Sequence, residues 1–218
     1  MRESILVSDF DGTLTRHDFY QLARELLIPS NSPNFWEEYR TGRMTHFAAL
    51  AAYFAEIRVD EAQVHLVVDR MDLAANLDQS LARLRTAGWR VIVASAGCDW
   101  YIRRLLRDVR EPLEIHANPG HFDDGRGLIM EPPTNSPYFS PTLGVDKAGI
   151  VQQALNAGKR VAFIGDGFPD FEAAKLVPDH LRFAKNDLAM ALHDAGLSYR
   201  VFEEWSEIVP ILTNEAAT

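Results

Sequence analysis

Residues 5–15 read Ile-Leu-Val-Ser-Asp-Phe-Asp-Gly-Thr-Leu-Thr, and the reading of this stretch decides the fold. An apolar run, Ile5 to Val7, is followed by two carboxylates, Asp9 and Asp11, and then by an Asp-Gly turn signal. Carboxylates two residues apart beyond a strand project into the crevice at its carboxyl end, where open α/β sheets bind ligands. A strand that merely ends in an Asp-Gly turn is the plain alternative, so the rest of the chain must decide between them. Further apolar runs at 90–94, 160–165 and 182–184 alternate with helical patterns at 77–87, 100–109 and 147–156. Gly88 and Gly158 stand where helices commonly stop. This alternation predicts an α/β fold built on a Rossmann-like, doubly wound parallel sheet.

Residues 16–76 break the rhythm. They hold no convincing β run and offer helical patterns around 18–27, 35–40, 44–57 and 60–71. The expected organisation is therefore a core of residues 1–15 and 77–218 with a helical cap, residues 16–76, inserted into it. Residues 115–131 predict a hairpin appended to the sheet, turning at Asp123, Asp124 and Gly125. Four prolines then mark 131–144 as a loop, and residues 214–218 read as a frayed end.

The 22 Lys and Arg against 31 Asp and Glu give a net charge of −9, without the basic excess that phosphate-backbone binding draws on. Nucleic acid is excluded as an expected partner. A lone cysteine, Cys98, cannot form an internal disulfide, and the opening MRESILVSDFDG lacks a charged-then-apolar leader, so a cytoplasmic location is expected. Its longest wholly apolar run, Phe47 to Ala55, falls well short of the roughly 20 residues of a membrane span.

Three further clusters carry chemistry. Ser95, followed by Ala96 and Gly97, closes the apolar run WRVIVA and offers a hydroxyl and backbone amides to an anion. Lys147 opens a helical pattern, and Gly165, Asp166, Gly167 and Asp170 follow the run RVAFI. Carboxylates converging from both strand ends repel one another, which implies a hard divalent cation with oxygen ligands.

Together these four motifs resemble the haloacid dehalogenase-like (HAD) superfamily of phosphotransferases over most of the chain outside residues 16–76. The resemblance implies that Asp9 is a nucleophile forming an aspartyl phosphate and that Asp11 is the general acid and base. It further implies that Gly12, Thr13, Ser95, Gly97 and Lys147 hold the phosphoryl group. Mg²⁺ is the implied cofactor, held by Asp9, the backbone carbonyl of Asp11, Asp166 and Asp170. An aspartate at the position of Asp11 points to a phosphatase or a phosphomutase. A noncatalytic metabolite-binding module requires lost carboxylates, and all four are present.

A helical cap of this length resembles the phosphoserine phosphatase branch, which implies a small phosphorylated metabolite as substrate. That branch meets the substrate amine with a glutamate nine residues after the nucleophile, where this chain has Asp18. Its carboxylate-binding arginine falls here on Ala51, Ala52 and Tyr53, which counts against phosphoserine. The opening DFDGT and the ending GDGFPDFEAAKLVPDHLRFAK also resemble the methionine-salvage phosphatases of 2-hydroxy-3-keto-5-methylthiopentenyl-1-phosphate. Asp18, Arg40, His46 and Tyr53 are the cap residues expected to face the leaving group. Phe35, Trp36 and Tyr39, at helical spacing, are read as core.

Overall fold

The computed structural model describes residues 3–214, so the chain ends at 1–2 and 215–218, with most of the expected frayed segment, lie outside the described residues. In chain order the strands are β1 (Ser4–Ser8), β2 (Trp89–Cys98), β3 (Glu114–Asn118), β4 (Gly120–Asp123), β5 (Gly127–Met130), β6 (Phe139–Ser140), β7 (Gly144–Val145), β8 (Arg160–Gly165), β9 (Arg182–Ala184) and β10 (Arg200–Val201). The helices are α1 (Phe19–Leu26), α2 (Phe35–Arg40), α3 (His46–Phe54), α4 (Glu61–Val68), α5 (Leu77–Thr86), α6 (Asp99–Leu105), α7 (Lys147–Asn156), α8 (Phe171–Lys175), α9 (Asn186–Asp194) and α10 (Ile208–Asn214).

Six strands form one parallel sheet in the order β10-β9-β8-β1-β2-β3. β1 lies between β2 and β8, so the chain leaves the sheet in opposite directions on its two sides, and a crevice opens beyond its carboxyl end. Alternation along the strands divides the core. Ile5 and Val7 pack with Ile92, Val161 and Phe163 against α7, α8 and α9, whereas Leu6 packs with Val93, Ala162 and Ile164 toward α5, α6 and α10. Ser8 anchors the end of β1, accepting a hydrogen bond from Trp205 Nε1 at 3.0 Å and donating to the Asp9 carbonyl at 2.7 Å.

Helices α1 to α4 make the inserted cap. Side-chain caps begin three of them: Asp18 accepts from the amide of Gln21, Thr45 from Ala48 and Asp60 from Gln63. The chain enters and leaves the cap side by side, with Thr15 bridged antiparallel to Leu73. Flanking backbone bonds run from the Arg16 amide to Asp72, from His17 to Met71 and from Ala74 to Leu14.

Several expectations are corrected. β2 continues through Cys98, so Ser95 lies within an extended strand rather than beyond its end. Residues 114–118, expected as the first arm of a hairpin, are instead the edge strand β3 of the main sheet. Pro119 lacks the amide that would continue the ladder, and the hairpin begins only after it, as the separate pair β4 and β5. The proline-rich loop contains a two-residue ribbon, β6 with β7. The short strand β10 and the helices α9 and α10 were not anticipated. No described helix is long and apolar enough to cross a membrane.

Candidate active site

The turn after β1 is held tightly. The Asp9 amide donates to the Ile164 carbonyl at 2.9 Å, and the Gly12 amide donates to Thr15 Oγ1 at 3.2 Å. Gly12 has φ +68°, and a Cβ there would lie 2.5 Å from Asp166 Oδ2, so only glycine lets the turn pass against β8. Thr13 Oγ1 lies 3.4 Å from Asp9 Oδ2 and 3.3 Å from Asp166 Oδ1, tying the two strand ends together. Gly12 and Thr13, expected to hold the phosphoryl group, make these bonds within the turn and to Asp166.

Lys147 is the hub. Buried at 3% exposure, its Nζ donates to Asp9 Oδ1 and to Asp170 Oδ1, each at 2.6 Å. Asp170 Oδ2 accepts the amides of Asp166 and Gly167 at 3.1 and 3.0 Å, so this carboxylate braces the loop after β8. Burial works against the charge on Lys147, but Asp170 and Asp9 outweigh it and hold the ammonium well above its ordinary pKa. Burial raises Asp9 despite Lys147, with Asp166 adding to the rise. Burial and a neighbouring carboxylate push Asp166 and Asp170 each up to about 6, the neighbours being Asp170 and Asp9 respectively.

Asp11 turns away from this cluster. Its Oδ1 accepts the Phe19 amide at 3.2 Å, while Oδ2 accepts the Tyr101 hydroxyl at 2.9 Å and Ser95 Oγ at 3.3 Å. Burial first, then the charges of Asp18 and Asp9, raise Asp11 well above the ordinary carboxylate range. Ser95 Oγ also accepts the Gly97 amide at 2.9 Å.

Carboxylate oxygens of Asp9, Asp166 and Asp170 lie within 4.8 Å of one another. One ammonium cannot balance two buried carboxylates and a half-buried third, and an all-oxygen donor set fits a hard divalent cation such as Mg²⁺.

Asp9, Asp11, Ser95, Tyr101, Lys147, Asp166 and Asp170 line a cavity of about 730 Å³ roofed by the cap. From the cap it receives Asp18, Tyr20, Trp36, Tyr39, Arg40 and His46. Asp18 caps α1, and burial pushes it up to about 6. Arg40 stands at the rim, paired with Glu37. His46 packs 5.2 Å from Trp36 and 5.7 Å from Tyr39 between ring centroids, and burial together with Lys147 pushes it down to about 4. Its Nδ1 is buried without a hydrogen-bond partner among the described residues.

Tyr53 does not reach the cavity. It is fully buried in the cap, where its hydroxyl donates to Asn34 Oδ1 at 3.1 Å and accepts the Trp36 amide at 3.4 Å. Phe35 packs on Tyr53 as expected, but Trp36 and Tyr39 wall the cavity instead of joining the core alone. Two cavity side chains that bond to Asp11 and Asp166 went unread in the sequence. Tyr101 carried no signal, and Asn186, which donates to Asp166 Oδ2 at 3.2 Å, was marked only by the tolerance of asparagine for its φ of +48°.

Comparison with known proteins agrees with this geometry. The family model described as haloacid dehalogenase-like hydrolase matches residues 6–175. A 2-hydroxy-3-keto-5-methylthiopentenyl-1-phosphate phosphatase of Bacillus pumilus (strain SAFR-032) is 23% identical over 210 residues, covering 95% of this chain and 90% of the relative. The phosphatase of the same description from Exiguobacterium sibiricum is 24% identical over 210 residues, covering 94% of each chain. Among solved structures, a HAD family hydrolase from Salmonella enterica serovar Typhi superposes with a TM-score of 0.71 at 16% identity, covering 98% of this chain and 73% of that one. A phosphoserine phosphatase bearing a phospho-aspartyl intermediate analogue superposes with a TM-score of 0.66 at 18% identity, covering 96% and 99%. With the family model spanning well over half of its length, the chain belongs to the haloacid dehalogenase-like hydrolase family, as a phosphatase.

Proposed function

We propose that this phosphatase hydrolyses a small phosphomonoester with an uncharged, partly apolar leaving group, through an aspartyl phosphate on Asp9 and with Mg²⁺ as cofactor. A single observation carries the reading: Lys147 pins Asp9 at 2.6 Å beneath the cavity roofed by the cap while Asp11, two residues on, faces the cap side. Lys147 fixes the Asp9 carboxylate for in-line attack, in which an Asp9 oxygen bonds to phosphorus as the ester oxygen departs. Asp11, whose carboxyl is pushed toward its protonated form by burial and by Asp18, gives its proton to the leaving alkoxide. Stripped of its proton, Asp11 then takes one from water, which attacks phosphorus, releases phosphate and regenerates Asp9. Ser95 Oγ and Lys147 Nζ hold the phosphoryl oxygens. Asp9, Asp166 and Asp170, with the Asp11 carbonyl, are the groups to hold Mg²⁺, which when bound neutralises phosphate charge.

The cap supports the leaving-group class. Its wall is aromatic, His46 is neutral at physiological pH, and Arg40 and Arg43 are paired with Glu37 and Glu38. No unpaired cap cation among the described cavity residues waits for a substrate carboxylate. The relatives' methylthiopentenyl phosphate fits this wall better than phosphoserine does. Cytoplasmic residence accords with the one cysteine, Cys98, which is buried and unpaired. The test is phosphate release with Mg²⁺ from 2-hydroxy-3-keto-5-methylthiopentenyl-1-phosphate, phosphoserine and a panel of sugar phosphates. Preferential release from the methylthiopentenyl ester is expected. Faster release from phosphoserine overturns the leaving-group assignment, and isomerisation of a sugar phosphate without release makes the enzyme a mutase.

A further inference from the structure

We propose that Tyr101 is a positioning residue that aims the Asp11 carboxyl at the leaving-group oxygen, an inference that rests on Asp11 acting as the general acid. Tyr101 lies on α6, outside the four motifs, yet its hydroxyl makes the shortest hydrogen bond to the Asp11 carboxylate, 2.9 Å from Oδ2. Its ring is fully buried and fixed between cap and core, 4.5 Å from Phe19 and 6.2 Å from Phe54 between centroids. A phenol held this way cannot swing out with the turn.

The loop after β2 is shaped around this pair. A Cβ on Gly97 would fall 1.9 Å from the Tyr101 hydroxyl oxygen and 2.7 Å from Asp11 Oδ2, so glycine is required here by the tyrosine and not only by an incoming anion. Of the three donors to Asp11, Ser95 is the most distant, at 3.3 Å, and it is the one drawn off when a phosphoryl group occupies the site. Two fixed donors then remain: the Phe19 amide on Oδ1 and the Tyr101 hydroxyl on Oδ2. Together they fix both rotation axes of the carboxyl while leaving Oδ2 a second direction, into the cavity, for the transferred proton.

The test exploits leaving-group chemistry. Nitrophenolate departs as a stable anion without a proton, whereas ethoxide requires one. The ratio kcat/KM reports steps only through departure of that group, before Asp11 acts on water. Tyr101→Phe, which preserves the ring packing, should lower kcat/KM for ethyl phosphate by about tenfold or more, as loss of a hydrogen bond to the carboxylate that forms when Asp11 gives up its proton does. It should leave p-nitrophenyl phosphate within about twofold. Asp11→Asn should give the same selective pattern more strongly. An equal loss on both substrates, or none, for Tyr101→Phe while Asp11→Asn remains selective overturns the role of Tyr101 alone. A nonselective loss in Asp11→Asn overturns the acid assignment and the inference with it. Should Tyr101→Phe lower the melting temperature, the ratio of the two kcat/KM values still decides, because partial unfolding scales both alike.

Discussion

The carboxylate cluster should make Mg²⁺ binding a function of pH, and the size of the effect follows from the raised pKa values of Asp166 and Asp170. Without metal, burial, aided by Asp170 beside Asp166 and by Asp9 beside Asp170, pushes both carboxyls up to about 6. Their folded pKa values exceed those of the unfolded chain, so each destabilises the metal-free fold as pH rises through about 6 and ceases to do so as pH falls toward 4. A cation requires the ionised forms. At pH 7.5 nearly every molecule carries both carboxylates ionised, whereas at pH 5 about one in a hundred does, which raises the apparent Kd about a hundredfold. Mg²⁺ at a hundred times its pH 7.5 Kd therefore stabilises by about 2.7 kcal/mol at pH 7.5 and about 0.4 kcal/mol at pH 5. For a chain of this size each kcal/mol moves Tm by about 2–4 °C, so the Mg²⁺-induced rise should shrink from about 5–11 °C to about 1–2 °C. His46 acts in the opposite sense. Its pKa falls on folding to about 4, so its contribution to stability is lost as pH drops from about 6.5 to 4. Comparing melting curves with and without Mg²⁺ at each pH cancels that common contribution. Scanning calorimetry of chelator-treated protein measures the difference, and an equal Tm rise at pH 5 and pH 7.5 would refute the reasoning.

Asp9→Asn should abolish phosphate release while leaving the melting curve cooperative, and near-normal turnover measured by phosphate assay would remove Asp9 from the nucleophile's role. Gly12→Ala forces a side chain into a φ of +68° and against Asp166, so it should cost about 1–3 kcal/mol in thermal unfolding and weaken the Mg²⁺-induced rise. Trp36→Ala should raise KM for the methylthiopentenyl ester by about tenfold while sparing ethyl phosphate, since it removes apolar wall from the leaving-group side only. Tyr53→Phe should lose about 1 kcal/mol of stability with no change in substrate ranking, because its hydroxyl serves Asn34 and the Trp36 amide.

How far the sequence spoke depends on the range of the interactions involved. β1 and β8 were legible because buried parallel strands are continuous apolar runs ending in glycine and aspartate, and those ends carry Asp9, Asp11, Asp166 and Asp170. Lys147 was legible only through its place before β8. β3 was not, because its half-buried edge position and the nearby turn gave it the look of a hairpin arm. Tyr53 read as substrate-facing because the position of the related branch's carboxylate-binding arginine falls on Ala51 to Tyr53, and His46 because it is a polar residue of the cap; both lie on α3. They are separated by about 10 Å along the axis, however, and only His46 comes level with the cavity. α2 spans six residues, too short for periodicity to assign Phe35 and Trp36 their different surroundings. Tyr101 meets Asp11 from 90 residues away, a pairing that no local pattern records.

The side-by-side passage of the chain at Thr15 and Leu73 has a consequence for how such an enzyme changes. Both ends of the insertion leave the core through one narrow stem, so the segment between them can be lengthened, shortened or exchanged without disturbing the order of the six parallel strands. A donor segment needs only to start and finish at that stem and to offer an apolar underside to Leu14, Tyr101 and Ile102. Grafting therefore becomes a route to new selectivity on an unaltered reaction centre. A circular permutant opened within residues 29–34, between α1 and α2, should keep the same stem intact.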